Sequence, residues 1–116
     1  MDTTTLNTRL SFRAHFIRMH GPESDPLIRV LLVEAKTSER VYEQIGTWRQ
    51  CRCWVAHISG YAILPDQLVA VQKRLDMNRS ATIGEFEASP DEIDAAGFCR
   101  VDTLGKYVET LASSRA

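Results

Sequence analysis

Leu27-Ile28-Arg29-Val30-Leu31-Leu32-Val33-Glu34-Ala35-Lys36 is the stretch on which the fold turns. From Leu27 to Ala35 it is nearly all aliphatic. A strand covered on both faces carries such a run. It ends in two charged residues two positions apart. Residues i and i+2 of a strand face the same way, so Glu34 and Lys36 are expected to project together. A carboxylate there suits a hard cation such as Mg²⁺. A neighbouring ammonium can orient a water or offset charge developing on a phosphate. The same two residues taken alone make a surface ion pair of little energetic weight.

On the N-terminal side, Leu10, Phe12, Ala14 and Phe16 alternate with Ser11, Arg13, His15 and Ile17. Period two predicts a half-buried strand. His20-Gly21-Pro22-Glu23-Ser24-Asp25-Pro26 is rich in strand breakers and predicts the turn of a β-hairpin. Residues 1–9 read as a flexible arm. On the C-terminal side, Ser38 with Glu39 reads as a helix start. Val41, Ile45 and Trp48 then recur at helical spacing, with Gln44 at the edge of that stripe. Cys51 to Tyr61 reads as a strand closed by Leu64-Pro65. Pro65 opens a helix with Leu68, Val71 and Leu75 on one face. Ala81 to Phe86 reads as a short strand. Ser89-Pro90-Asp91-Glu92 is a capping box with proline at the first helical position, and Gly97 ends that helix. Asp102 opens a last helix lined by Leu104, Tyr107, Val108 and Leu111, so residues 89–112 form a helical C-terminus.

The succession predicts an α/β (α+β) single domain over residues 1–116. Its sheet is mixed, a β-hairpin leading into strand-helix-strand-helix-strand. The chain's 116 residues allow one domain. With 44% hydrophobic and 25% charged residues it is globular rather than disordered. A net charge of −1 argues against a non-specific basic coat, though not against a local basic groove. No stretch reaches the roughly 20 apolar residues of a membrane span. The opening Met1-Asp2-Thr3-Thr4-Thr5 has no secretory pattern, and Cys51, Cys53 and Cys99 are odd in number. Reduced thiols and a cytoplasmic setting are expected. Cys51, Cys53, His57 and Cys99 are zinc-ligand types, but their spacing does not suit a structural zinc site.

Residues 27–87 resemble the restriction-endonuclease-like, PD-(D/E)XK superfamily. Glu34-Ala35-Lys36 looks like its (D/E)-x-K at the end of a core strand. Gln44-x-x-x-Trp48 looks like the Gln-x-x-x-Tyr helix motif of the RecB-type branch, with Trp for Tyr. The exit at Leu64-Pro65 is similar to that of the strand after that helix. The resemblance implies a Mg²⁺-dependent nuclease. Glu34 would hold the metal, Lys36 would position the attacking water, and Gln44 would be an accessory contact. The superfamily's second acid has no counterpart here. Asp25 would lie about 30 Å from Glu34 at ~3.3 Å per residue. His15, across the hairpin, is the candidate replacement, although imidazole suits softer metals.

Arg13, Arg40 and Arg49 are the candidate contacts to a nucleic-acid backbone. An uncovered sheet edge would favour a homodimer or a protein partner. The competing expectation is a degenerate member with no metal chemistry. Such a chain would be a binding module for nucleic acid or a protein partner. A further alternative is a non-enzymatic accessory or inhibitor protein, for example of a mobile element, working through protein–protein binding.

Overall fold

The computed structural model describes residues 9–19 and 26–101. Strand β1 (Leu10–Arg18) and strand β2 (Leu27–Glu34) pair antiparallel, with Phe12 opposite Glu34, Ala14 opposite Leu32 and Phe16 opposite Val30. The expected hairpin strands are therefore present. Their alternation does the work predicted of it: Phe12, Ala14 and Phe16 are fully buried, and Arg13, His15 and Ile17 lie on the other side. Strand β2 is apolar on both sides, and Leu31 is as fully buried as Val30 and Leu32.

The next two elements exchange the identities expected of them. Residues 40–47 form strand β3 (Arg40–Thr47), not a helix, and residues 48–58 form helix α1 (Trp48–Ile58), not a strand. Ser38 does not cap a helix. It takes φ +61° in a tight hairpin turn, donating its N–H to the Glu34 carbonyl, while the Glu34 N–H donates to Glu39 O. A register shift between Leu32 and Val33 leaves Val41 unmatched in β3. That bulge breaks the strict alternation by which a strand is recognised in sequence. The helix starts later, at a capping box formed by Thr47 and Gln50. Its buried residues Cys51, Val55 and Ile58 keep spacings of four and three, the stripe of a helix resting on a sheet.

Helix α2 (Pro65–Asn78) buries Leu68, Val71 and Leu75, as expected. Arg79 ends it in the left-handed conformation, and strand β4 (Ser80–Ala88) follows at once. Helix α3 (Pro90–Ala95) carries the Ser89/Glu92 capping box, and Gly97 turns the chain at φ +95° into the short strand β5 (Cys99–Arg100). The sheet order is β4-β1-β2-β3-β5 and every pairing is antiparallel. The expected mixed sheet is thereby corrected. So is the strand-helix-strand-helix-strand succession, because residues 27–87 run strand, strand, helix, helix, strand. The arm at residues 1–8, the turn at 20–25 and the helix expected from Asp102 lie outside the described residues.

Helix α1 packs on β2 and β3, and α2 on β4 and β1, so the two lie side by side over one face of the sheet. The domain is a two-layer α/β sandwich. Phe16 of β1 meets Trp48 of α1 edge-on, tying the layers together, and Phe12 meets Tyr42 of β3 edge-on within the sheet. Gly46 lets α1 approach closely: a Cβ there would come 2.5 Å from the Trp54 ring.

Candidate functional site

The residues singled out in the sequence stand at separate places on this frame. Glu34 is the last residue of β2 and shares a face with its register partner Phe12. Its backbone N–H and carbonyl close the hairpin turn. Lys36 lies in that turn and is exposed. Gln44 sits in the middle of β3 opposite Val30, four residues back from Glu34 along β2, or about 13 Å. Its Nε2 donates to the Ala96 carbonyl at 3.1 Å, and its Oε1 lies where a Cβ on Gly97 would be, 2.6 Å away. Gln44 thus holds the turn between α3 and β5 against the sheet.

His15 lies on the opposite face of the sheet from Glu34, three residues farther along β1 than Glu34's partner Phe12. Its Nδ1 shares a 2.7 Å hydrogen bond with Thr82 Oγ1. Burial, and then the charge of Arg40, pull its imidazole below the ordinary histidine range. Glu34 and His15 cannot share an ion from opposite sides of a sheet. Among the described residues no three His, Cys, Asp or Glu side chains gather in a group that could hold a metal ion.

Arg13 and Arg40 do come together. Both are register partners of Val33, two strand spacings or about 10 Å apart, on the face away from α1 and α2. Glu85 stands 3.7 Å from Arg13, and the nearby Arg29 is bound to Glu43 at 2.7 Å. Arg49 is on α1, in the other layer.

The molecule's concave apolar surface lies elsewhere. A cleft of about 410 Å³ opens between α1 and α2. Its floor is Trp48, Ala56, Ile63 and Leu68, and its rim is Tyr61, Leu64 and Val69. The rim residues are 69%, 58% and 49% exposed, high values for large apolar side chains placed side by side. Local chain geometry builds this rim. Gly60 and Tyr61 both take positive φ, near +63°, and reverse the chain after α1. Leu64 precedes Pro65, and its N–H donates to the Gln67 side chain, which fixes the start of α2 with the Leu64 side chain outward. Arg52, Cys53, Gln72 and the Tyr61 hydroxyl supply the polar atoms. Sequence reading did not find this site. The available signal was Leu64 and Val69, which fall outside the Leu68/Val71/Leu75 stripe and so could not all be core.

Among the described residues no helix is long and apolar enough to cross a membrane. Compared with known proteins, the chain matches no family model, no curated protein and no solved structure.

Proposed function

We propose that this chain acts by binding rather than by catalysis, as a non-enzymatic accessory protein whose working surface is the cleft between α1 and α2. The observation that carries the reading is the adjacency of Tyr61, Leu64 and Val69 around one apolar hollow. Exposed apolar surface gathered in one concave place is the mark of an interaction site, whereas scattered exposed residues are not. The separation of Gln44, committed to Ala96, from Glu34 supports it from the other side. Water activation and metal binding need their groups held to within fractions of an ångström.

Under this reading a kinship with the restriction-endonuclease-like superfamily is descent without cleavage. Glu34-Ala35-Lys36 keeps the motif at a strand end, while Gln44 serves the fold. The rival is a Mg²⁺-dependent nuclease with its metal at Glu34 and nucleic acid on Arg13, Arg40 and Arg49.

Two assays separate them. With Mg²⁺ or Mn²⁺, the protein is expected to leave single- and double-stranded DNA and RNA intact. Cleavage that disappears in Glu34→Gln would overturn the binding reading. The apolar dye anilinonaphthalene sulfonate is expected to bind the native protein saturably. Val69→Glu, which sets a charge in the cleft without touching the core, should abolish that signal while thermal unfolding stays unchanged. Equal dye binding by wild type and variant would place the working surface elsewhere.

A further inference from the structure

We infer that the cleft between α1 and α2 binds an apolar molecule carrying a single carboxylate, with Arg52 as the counter-ion. The inference rests on the binding reading above and adds the chemistry of the ligand.

The first part of the argument is size. About 410 Å³ falls within the roughly 300–1,000 Å³ typical of clefts for small molecules. The second part is charge. Among the described residues Arg52 is the single charged residue of the lining, and no acid stands among them there to answer it. Arg52 forms no ion pair and no side-chain hydrogen bond with the described residues. Helix α1 carries Arg49 and Arg52 and no acid at all, so the field on this side of the cleft is positive along the helix. A guanidinium presents five donors in a planar fork that matches a carboxylate. The third part is the remaining surface, where Trp48, Ile63, Leu64, Leu68 and Val69 offer an apolar bed for the ligand's body. Gln72 and Tyr61 add neutral polar groups at its edge.

A second hollow shows what an answered cation looks like. It measures about 370 Å³ and contains Arg9, Glu85 and Glu87. There Arg9 is already bonded to Glu92 and to the Glu87 carbonyl. Among the described residues Arg52 has no such partner, and the lining around it is mainly apolar.

The test uses decanoate, kept below its micelle concentration, against decanol as the chain without the charge. Calorimetric titration of the full chain with decanoate should saturate at one site. Occupancy should slow alkylation of Cys53, which lines the cleft, and leave that of Cys99, which does not, unchanged. Arg52→Gln should weaken decanoate by roughly tenfold or more, the worth of a charge-assisted hydrogen bond, and leave decanol unaffected. Absence of saturable binding, or decanoate binding undiminished in Arg52→Gln, overturns the inference. So does protection of Cys53 and Cys99 alike, which would mean general coating. None of these failures restores a nuclease, and dye binding sensitive to Val69→Glu would still stand. The loss of the ligand class is therefore distinguishable from the loss of the binding reading.

Discussion

Helix α1 has two faces, and they are built on opposite terms. The face toward the sheet holds Cys51, Val55 and Ile58, all fully buried. Its groups are packed into the fold: the single Cys51 S–H is shared between the carbonyls of Ile28 and Gly46, and Trp54 packs edge-on against Phe98. The face toward α2 holds Arg52, Cys53 and Ala56 and borders a hollow instead of a packed neighbour. The difference teaches where to look for function. A residue whose side chain is engaged in holding the fold, as the Gln44 amide is by its bond to the Ala96 carbonyl, is poorly placed to serve a ligand. Residues that the fold leaves unengaged, at an energetic cost in exposed apolar surface, have a reason to be kept available.

The sharpest way to break this contrast uses two cysteines of the one helix, only two residues apart. Burial pushes the Cys51 thiol up to about 12. At pH 8 its thiolate is then about one molecule in ten thousand, each pH step being tenfold. The thiolate is the form that reacts. Cys53 is exposed. Iodoacetamide followed by peptide mass mapping should therefore label Cys53 and Cys99 in the native protein. Cys51 should be labelled only after denaturation. Native labelling of Cys51 at a rate comparable to Cys53 would mean that the sheet-facing side is not closed.

A mutational pair measures the same contrast in energy. Ile58→Ala empties a fully buried site and should cost about 2–5 kcal/mol of unfolding free energy. Val69→Ala, on the cleft rim, should stay within about 0.5 kcal/mol. Urea unfolding midpoints with a constant slope would read both. Similar losses from the two would erase the distinction between the faces.

The hairpin, the helix at Pro65–Asn78 and the capping box at Ser89 were legible because each has a local cause. The period-two run of Phe12, Ala14 and Phe16 admits one reading, as does Ser-Pro-Asp-Glu. Residues 38–61 were misread because two local signals competed. Val41, Ile45 and Trp48 mimic a helical stripe by spacing alone: Val41 is the bulged residue of β3, Ile45 is exposed and Trp48 already belongs to α1. Thr47-Trp48-Arg49-Gln50 carried the correct start signal, a capping box, followed by Cys51, Val55 and Ile58 at helical spacing. The aromatic and β-branched content of residues 54–58 hid it. Of the candidate site, Arg13 and Arg40 were gathered on one face. The cleft was beyond the reach of sequence, since it depends on two helices lying side by side and on what they leave uncovered.

A narrower contrast concerns the backbone beneath α1. Gly46 lies under Trp54, and a methyl there would come 2.5 Å from the ring and 2.7 Å from the Gln50 Oε1 that accepts the Thr47 N–H. Gly46→Ala must therefore shift the ring or loosen the helix cap, and should cost about 1–3 kcal/mol as overpacking. Gly60 follows the same helix on its solvent side, with φ +63° and nothing within 4 Å of an added Cβ. Gly60→Ala meets no neighbour and should lose only the left-handed penalty, about 1 kcal/mol. The two differ in kind as well as size. Near-ultraviolet circular dichroism should change in Gly46→Ala, because the environment of Trp54 changes, and stay constant in Gly60→Ala. An unchanged tryptophan signal in Gly46→Ala would mean that α1 has slack against the sheet, and the sheet-facing side would then be no more committed than the cleft.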